Sequence, residues 1–465
     1  MSESSSIISV VDGEPRGNGL ILEDSPFGLE KIYDYEQGGH HPVHLGDALH
    51  SRYKVIHKLG SGGYANVWLC RDTSSATFTY VALKIIMAEG STKDCPELRV
   101  NKLLDCGFDE LDTVDYFCLP RDQFEINGPN GTHLVFVYPV LGPRVSRLLS
   151  VTQSEDPGVP LREICFQVTQ AMADLHRRGI CHGDFRPANI LARISGLDGL
   201  SEDDAIATLG APSTAKITTA SGDDHDLPTA PQYMVYPISW DSIATNTSLL
   251  HLISGKACII DFGECYDVSS PVAELGIPQV YCPPEYSLEG KVGIACDLWA
   301  LGCTLFEIRT GRKLFDTFDD DLDEHLCKIA MILGKFPEPW WSETWEQRSI
   351  YFKDEVEAGN QVIEIQISPN ERNADSGGVG ALVMQKPEPR SLQEALAPGL
   401  FYENKYGPGG IQQDISREEI DIFSDLLSKL FQYNPESRTP ASSVLGHDWF
   451  GLKAQCAPPE VTNVL

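Results

Sequence analysis

A chain of 465 residues has room for two or three hydrophobic cores. Its 67 Asp and Glu outnumber 36 Lys and Arg, leaving a net charge of −31. That field repels nucleic acid and anionic membrane surfaces, so neither is expected as a direct partner; it either only keeps the chain soluble or also favours basic partners. No apolar run approaches the roughly 20 residues needed to span a bilayer, and residues 1–19 are polar and acidic, without the apolar core of a leader peptide. The 13 cysteines are odd in number, lack CxxC pairs, and often sit in apolar runs such as Ala257-Cys258-Ile259-Ile260. That usage fits reduced thiols packing as small hydrophobes, and the expected compartments are cytoplasm and nucleus.

Residues 1–51 read as an N-terminal extension with turn signals at Gly38-Gly39 and Pro42. Strand patterns follow: Tyr53 to Ile56, Asn66 to Leu69, Tyr80 to Ile86 and His133 to Tyr138, interrupted by a helix predicted from Pro96 to Leu104. After Gly142-Pro143 the period changes. Leu161, Ile164, Cys165, Val168, Met172 and Leu175 recur at helical spacing, with a basic last turn and Gly179 as the stop. Ile420, Phe423, Leu426, Leu427 and Leu430 predict a late helix of the same kind. Two stretches read as insertions: about 195–254, rich in Ser, Thr, Asp and Gly, and about 370–389, rich in Gly, Ser and Asn and expected to be mobile. Residues 451–465 form a C-terminal tail.

Four segments carry chemistry. Leu59-Gly60-Ser61-Gly62-Gly63-Tyr64-Ala65-Asn66-Val67 lies between two strand patterns; its glycines allow the backbone to fold over a triphosphate, although a plain hairpin turn would use them too. Val81-Ala82-Leu83-Lys84 puts an ammonium in an apolar strand. It requires anions, which phosphates and Glu97 can supply, or else an edge position open to water. In His182-Gly183-Asp184-Phe185-Arg186-Pro187-Ala188-Asn189, Asp184 can take or orient a substrate hydroxyl proton. Asn189, five residues on, can reach a metal ion, and Arg186 can neutralise phosphate charge. Ile259-Ile260-Asp261-Phe262-Gly263 ends an apolar strand on a carboxylate suited to Mg²⁺.

In this order the elements resemble the eukaryotic protein-kinase family from about Tyr53 to Phe450. Pro283-Pro284-Glu285 is similar to the end of its activation segment, and Asp297-Leu298-Trp299-Ala300-Leu301-Gly302 to the helix that anchors its catalytic loop. Arg438 matches the Arg that pairs with that Glu. The resemblance implies an α+β, bilobal fold with a strand-rich N-lobe over 52–141, one main helix in it, and a larger helical C-lobe over 142–450 that holds both insertions. It implies ATP in the cleft between lobes, with Mg²⁺, and protein Ser or Thr as acceptor. Lys84, Glu97, Asp184 and Arg186 would serve catalysis. Leu59 to Val67, Ala82, Lys84, Tyr138 (as gatekeeper), Leu141 and Leu191 would hold the nucleotide, and Asn189 and Asp261 the metal. The protein is expected to act as a monomer.

A narrower resemblance is to the SR-protein kinases of the CMGC group. It rests on Gly38-Gly39-His40-His41-Pro42-Val43-His44, on Arg52-Tyr53-Lys54-Val55-Ile56, on the place of the first insertion, and on Asp323-Glu324-His325 with Leu333-Gly334-Lys335-Phe336-Pro337. It implies basic, Arg/Ser-rich substrates. Asp316, Asp319, Asp320, Asp321, Asp323 and Glu324 cluster where that family engages them, and a solvated acidic loop is the alternative. The chain departs from the wider family at Ala65, Asn101, Gly183, Arg186 and Cys282. Gly183 replaces an Arg that would receive a phosphorylated activation segment, so activity without such phosphorylation is expected. The departures together define the rival reading, a pseudokinase acting as a binding module.

Overall fold

A computed structural model describes residues 19–98, 116–146, 156–240, 247–317, 320–352, 391–403 and 410–452. The helix expected to continue to Leu104, Asn101, the insertion at 370–389, Asp319 and the tail from 453 lie outside the described residues. The chain divides into two compact units, Glu3–Pro160 with Pro187–Cys265 and Leu161–Arg186 with Tyr266–Leu465.

The first unit is built on a six-stranded antiparallel sheet. Its order is Ala48–Leu49, Tyr53–Ser61, Ala65–Asp72, Tyr80–Ile86, Gly131–Pro139, Asp122–Gly128. Alternation along Tyr80–Ile86 sends Val81, Leu83 and Ile85 into a core with Val55, Trp68, Cys70, Val135 and Val137. Ala82 and Lys84 face the other way. Lys84 pairs with Val67 on one side and Phe136 on the other, so the lysine strand is interior to the sheet. The water-exposed edge position is thereby excluded, because both neighbours complete the ladder.

Two expectations about boundaries change. The first insertion, expected within the helical lobe, packs in the strand-rich unit. Its helix Glu202–Leu209, capped by Ser201, contributes Ala205 and Leu209 to a core with Ile56, Leu69 and Tyr80. Glu202 ties this helix to the sheet through Lys54 at 2.6 Å and Arg71 at 2.9 Å. The insertion leaves and rejoins a second antiparallel sheet, in which Ile190–Ile194 lies between Ile253–Ile259 and Leu141–Arg144. The N-terminal segment is likewise part of the fold. Leu20–Leu22 pairs with Thr214–Thr219, Tyr35 is buried with Ile217 and Met234, and Glu30 forms a fully buried ion pair with Lys58. Neither element could be read from local period, because each buries its apolar side against a partner far away in the chain.

The second unit is helical. Helix Gly158–Arg177 buries the predicted stripe, and Ile294–Thr310 is apolar on nearly all sides, as befits a central helix. Arg417–Leu430 starts at Ser416, whose hydroxyl accepts from Glu419 N, and turns Ile420, Phe423, Leu426, Leu427 and Leu430 inward. Its Glu419 carboxylate takes both Nε and Nη2 of buried Arg309, at 2.7 and 2.8 Å. Among the described residues no helix is long and apolar enough to cross a membrane. No disulfide joins the described cysteines, all of which are buried.

Candidate active site

In the strand-rich unit, Lys84 Nζ lies 2.7 Å from Glu97 Oε1 and 3.1 Å from Asp261 Oδ1. Burial opposes its charge, but Asp261 and Glu97 outweigh that and hold the ammonium protonated well above the ordinary lysine range. Asp261 stands at φ +62° in the left-handed region, and its side chain is 47% exposed. The turn is fixed from behind by Phe262, whose ring meets Phe117 edge to face at 5.9 Å. Phe117 itself bridges to Ile259.

The remaining residues assigned to the nucleotide fall on the same unit. Leu59, Gly60 and Ser61 end one strand, while Ala65, Asn66 and Val67 begin the next, with Gly62 N donating to Ala65 O at 3.0 Å. Gly62, Gly63 and Tyr64 form the exposed tip. A Cβ built on Gly60 or Gly63 would meet no atom within 4 Å. These glycines therefore keep space open rather than relieve a clash. Ala82 is paired with Tyr138, and Tyr138, Leu141 and Leu191 share a cluster with Cys118, Cys258 and Ile260. Asn189 is buried, and its backbone carbonyl accepts from Ile260 N at 2.9 Å. The pairing of Ile190 with Ile259 thus brings Asn189 beside the strand that leads to Asp261, across about seventy residues of sequence.

In the helical unit, Arg186 Nε donates to Asp184 Oδ1 at 2.8 Å. The loop carrying both is held by one buried carboxylate. Asp297 accepts from His182 N at 2.7 Å, from Gly183 N at 3.1 Å and bonds His176 Nε2 at 3.1 Å. Burial alone would raise its pKa, yet His176 and the backbone donors hold it below the usual carboxylate range. Gly183 stands at φ +78°, where glycine carries no steric penalty. Thr304 Oγ1 donates to Phe185 O from the central helix. Cys282 is buried, with Sγ 3.7 Å from the carbonyls of Ile277 and Pro278, so an uncharged thiol occupies that position. The sequence-matched pair Glu285–Arg438 forms as a buried bidentate ion pair, with Arg438 Nη1 and Nη2 donating to the two Glu285 oxygens at 2.5 and 2.7 Å.

The acidic cluster is only partly available to a ligand. Asp321 caps the helix Leu322–Leu333 by accepting from Glu324 N, and Asp323 accepts from Trp345 Nε1 at 2.8 Å. Asp316 is more than half exposed and lies 3.8 Å from Lys313. Sequence reading missed the roles of His176, Phe117 and Cys95; His176 and Phe117 act on groups in other elements, and Cys95 reaches Glu97, two residues on, only through the conformation of its turn.

A half-buried ammonium clamped by two carboxylates in a glycine-loop sheet is suited to receive a polyphosphate, an arrangement of the kind that protein kinases use in phosphoryl transfer. The family described as protein kinase domain matches residues 248–450. The serine/threonine-protein kinase SRPK of Physarum polycephalum is 27% identical over 448 residues, covering 93% of each chain. Protein kinase dsk1 of Schizosaccharomyces pombe is 27% identical over 391 residues, 66% of this chain and 71% of its own. The serine/threonine-protein kinase spk-1 of Caenorhabditis elegans is 34% identical over 190 residues, 39% of this chain and 18% of its own. Residues 248–450 thus match the protein-kinase domain, and over most of its length the chain is similar to the SR-protein kinases of the CMGC group.

Proposed function

We propose that this protein transfers the γ-phosphoryl group of ATP to Ser or Thr hydroxyls of protein substrates, with Arg/Ser-rich chains preferred. The observation that carries the reading is the Lys84–Glu97–Asp261 constellation. Lys84 brings positive charge to the phosphates, and Glu97 holds its direction. The open space at Gly60 and Gly63 leaves room for phosphate oxygens against backbone N–H groups. Asp184 accepts or orients the hydroxyl proton, with Arg186 Nε fixing its carboxylate. The carboxylate of Asp261 and the amide oxygen of Asn189 are hard oxygen donors of the type Mg²⁺ takes, and those two residues would hold it. Bound there, the ion would supply charge neutralisation at the phosphates.

The test is transfer of labelled phosphate from ATP to an Arg/Ser peptide, with Lys84→Met and Asp261→Ala as variants. Each is expected to lose at least about 10²-fold in kcat/KM, the scale of losing one positioned charge in such chemistry. Near wild-type turnover in both would refute the assignment. ATP binding without transfer to any substrate would point instead to a binding module. For substrate charge, Asp316→Asn with Asp320→Asn is the cleaner pair, because Asp321 and Asp323 also serve the fold. Exposed pairs contribute about 0.2–1 kcal/mol each, so KM for the peptide should rise severalfold at low salt and less at high salt, with KM for ATP unchanged. An unchanged peptide KM would reduce the cluster to a solvated loop.

A further inference from the structure

The glycine-loop tip and Glu97 are joined through Cys95, a side chain to which the proposed reaction gives no part. Glu97 uses Oε1 for Lys84, while its Oε2 accepts from Cys95 Sγ at 3.3 Å. Cys95 is 1% exposed, and burial first, then the charge of Glu97, push its thiol pKa up, so it stays a proton donor. Tyr64, at the loop tip, places its hydroxyl 3.7 Å from Cys95 Sγ and 3.4 Å from Gly90 O. Since the single thiol proton goes to Glu97, the hydroxyl is the donor along the Tyr64–Cys95 contact, and its one proton is shared between the sulfur and Gly90 O. Gly90 makes the approach possible: a Cβ there would lie 2.6 Å from Tyr64 Cε2. Met87 N donates to Tyr64 O at 3.0 Å, so the same turn also holds the loop by its backbone.

We propose that Tyr64, Cys95 and Gly90 form a positioning relay that couples the glycine-loop tip to the Glu97–Lys84 pair. The inference rests on the kinase reading, and it makes all three positioning residues. A loop displaced outward loses the Tyr64–Cys95 bond, which leaves Cys95 less fixed against Glu97. A Glu97 that turns away leaves the thiol with no acceptor and frees the tip. Nucleotide taken under the loop therefore favours, by the same amount, the arrangement in which Glu97 holds Lys84, since the coupling is reciprocal.

Three measurements test this on the full chain. First, amide exchange at residues 60–66 in the nucleotide-free protein should rise about fivefold in Tyr64→Phe and Cys95→Ala, the factor expected for one weak hydrogen bond. Second, the dissociation constant for a fluorescent ATP analogue should weaken by a similar factor, with the melting temperature little changed in Tyr64→Phe, which removes one hydroxyl from a residue that is 39% exposed. Third, Tyr64→Phe added to Cys95→Ala should have no further effect, Cys95→Ser should recover most of the loss, and Gly90→Ala should imitate it by pushing the ring away. Unchanged loop exchange in both single variants, or strictly additive effects on binding, overturns the relay. An active wild type with an unresponsive loop sinks the relay alone. A responsive loop in a protein that transfers no phosphate leaves the relay standing and sinks the kinase reading.

Discussion

Replacing Asp297 by Asn tests how the helical unit holds its catalytic loop. Asp297 is 2% exposed and bonds three groups, His182 N, Gly183 N and the His176 ring. Asparagine keeps the shape but turns one acceptor into a donor that faces donors already in place. Bonds to a buried charge contribute about 1.5–3 kcal/mol each. With its oxygen at the Oδ2 position the amide can keep two of them, those to His182 N and His176, so the loss should be about 2–4 kcal/mol, one bond plus the cost of a donor turned on Gly183 N. This is a large part of the ~5–15 kcal/mol by which domains are usually stable, yet the variant should remain folded in the cold. The shifted backbone lies one and two residues before Asp184, and a displacement of about 1 Å there can cost ~10²-fold in rate. Because Lys84, Glu97 and Asp261 are untouched, KM for ATP should stay within about twofold. Urea denaturation and steady-state transfer assays measure the two effects. A stability loss below about 1 kcal/mol with unchanged kcat would refute the argument that Asp297 organises the loop.

Arg438→Met should destabilise the protein by about 3–5 kcal/mol, because it leaves the Glu285 carboxylate buried without its partner; a change under about 1 kcal/mol by denaturant titration would show that the pair is solvated. Stability should also fall on acidification. His325, buried with Nε2 2.9 Å from Cys282 O, and His40, also buried, are lowered by desolvation from the ordinary 6.5 to about 4. The unfolded chain takes these protons first, so their contribution is complete above about pH 6.5 and is lost as pH falls towards 4, by ~3 kcal/mol per histidine. His325→Gln should flatten the denaturation midpoint across that window, and an unaltered slope would remove His325 as its source.

The chemistry-bearing segments were legible because each is a short run with its own local logic. Lys84 in an apolar strand needed anions, and Asp261 at a strand end needed a cation. The spacing from Asp184 to Asn189 fits two roles on one loop, and the helical stripes from Leu161 and Ile420 announced their buried faces. Period and residue type are local properties, and they set element type. Tertiary structure alone decided where the long excursions go. Nothing in 195–254 shows that Ala205 and Leu209 would meet Ile56 and Leu69, and nothing in the first fifty residues shows that Glu30 would neutralise Lys58. The same holds for His176, which completes the Asp297 anchor that the resemblance had marked, and for Cys95, whose bond to Glu97 depends on the conformation of one turn. Such partnerships are fixed by burial and by the need to satisfy every desolvated charge and donor, a condition met only when the whole unit is folded.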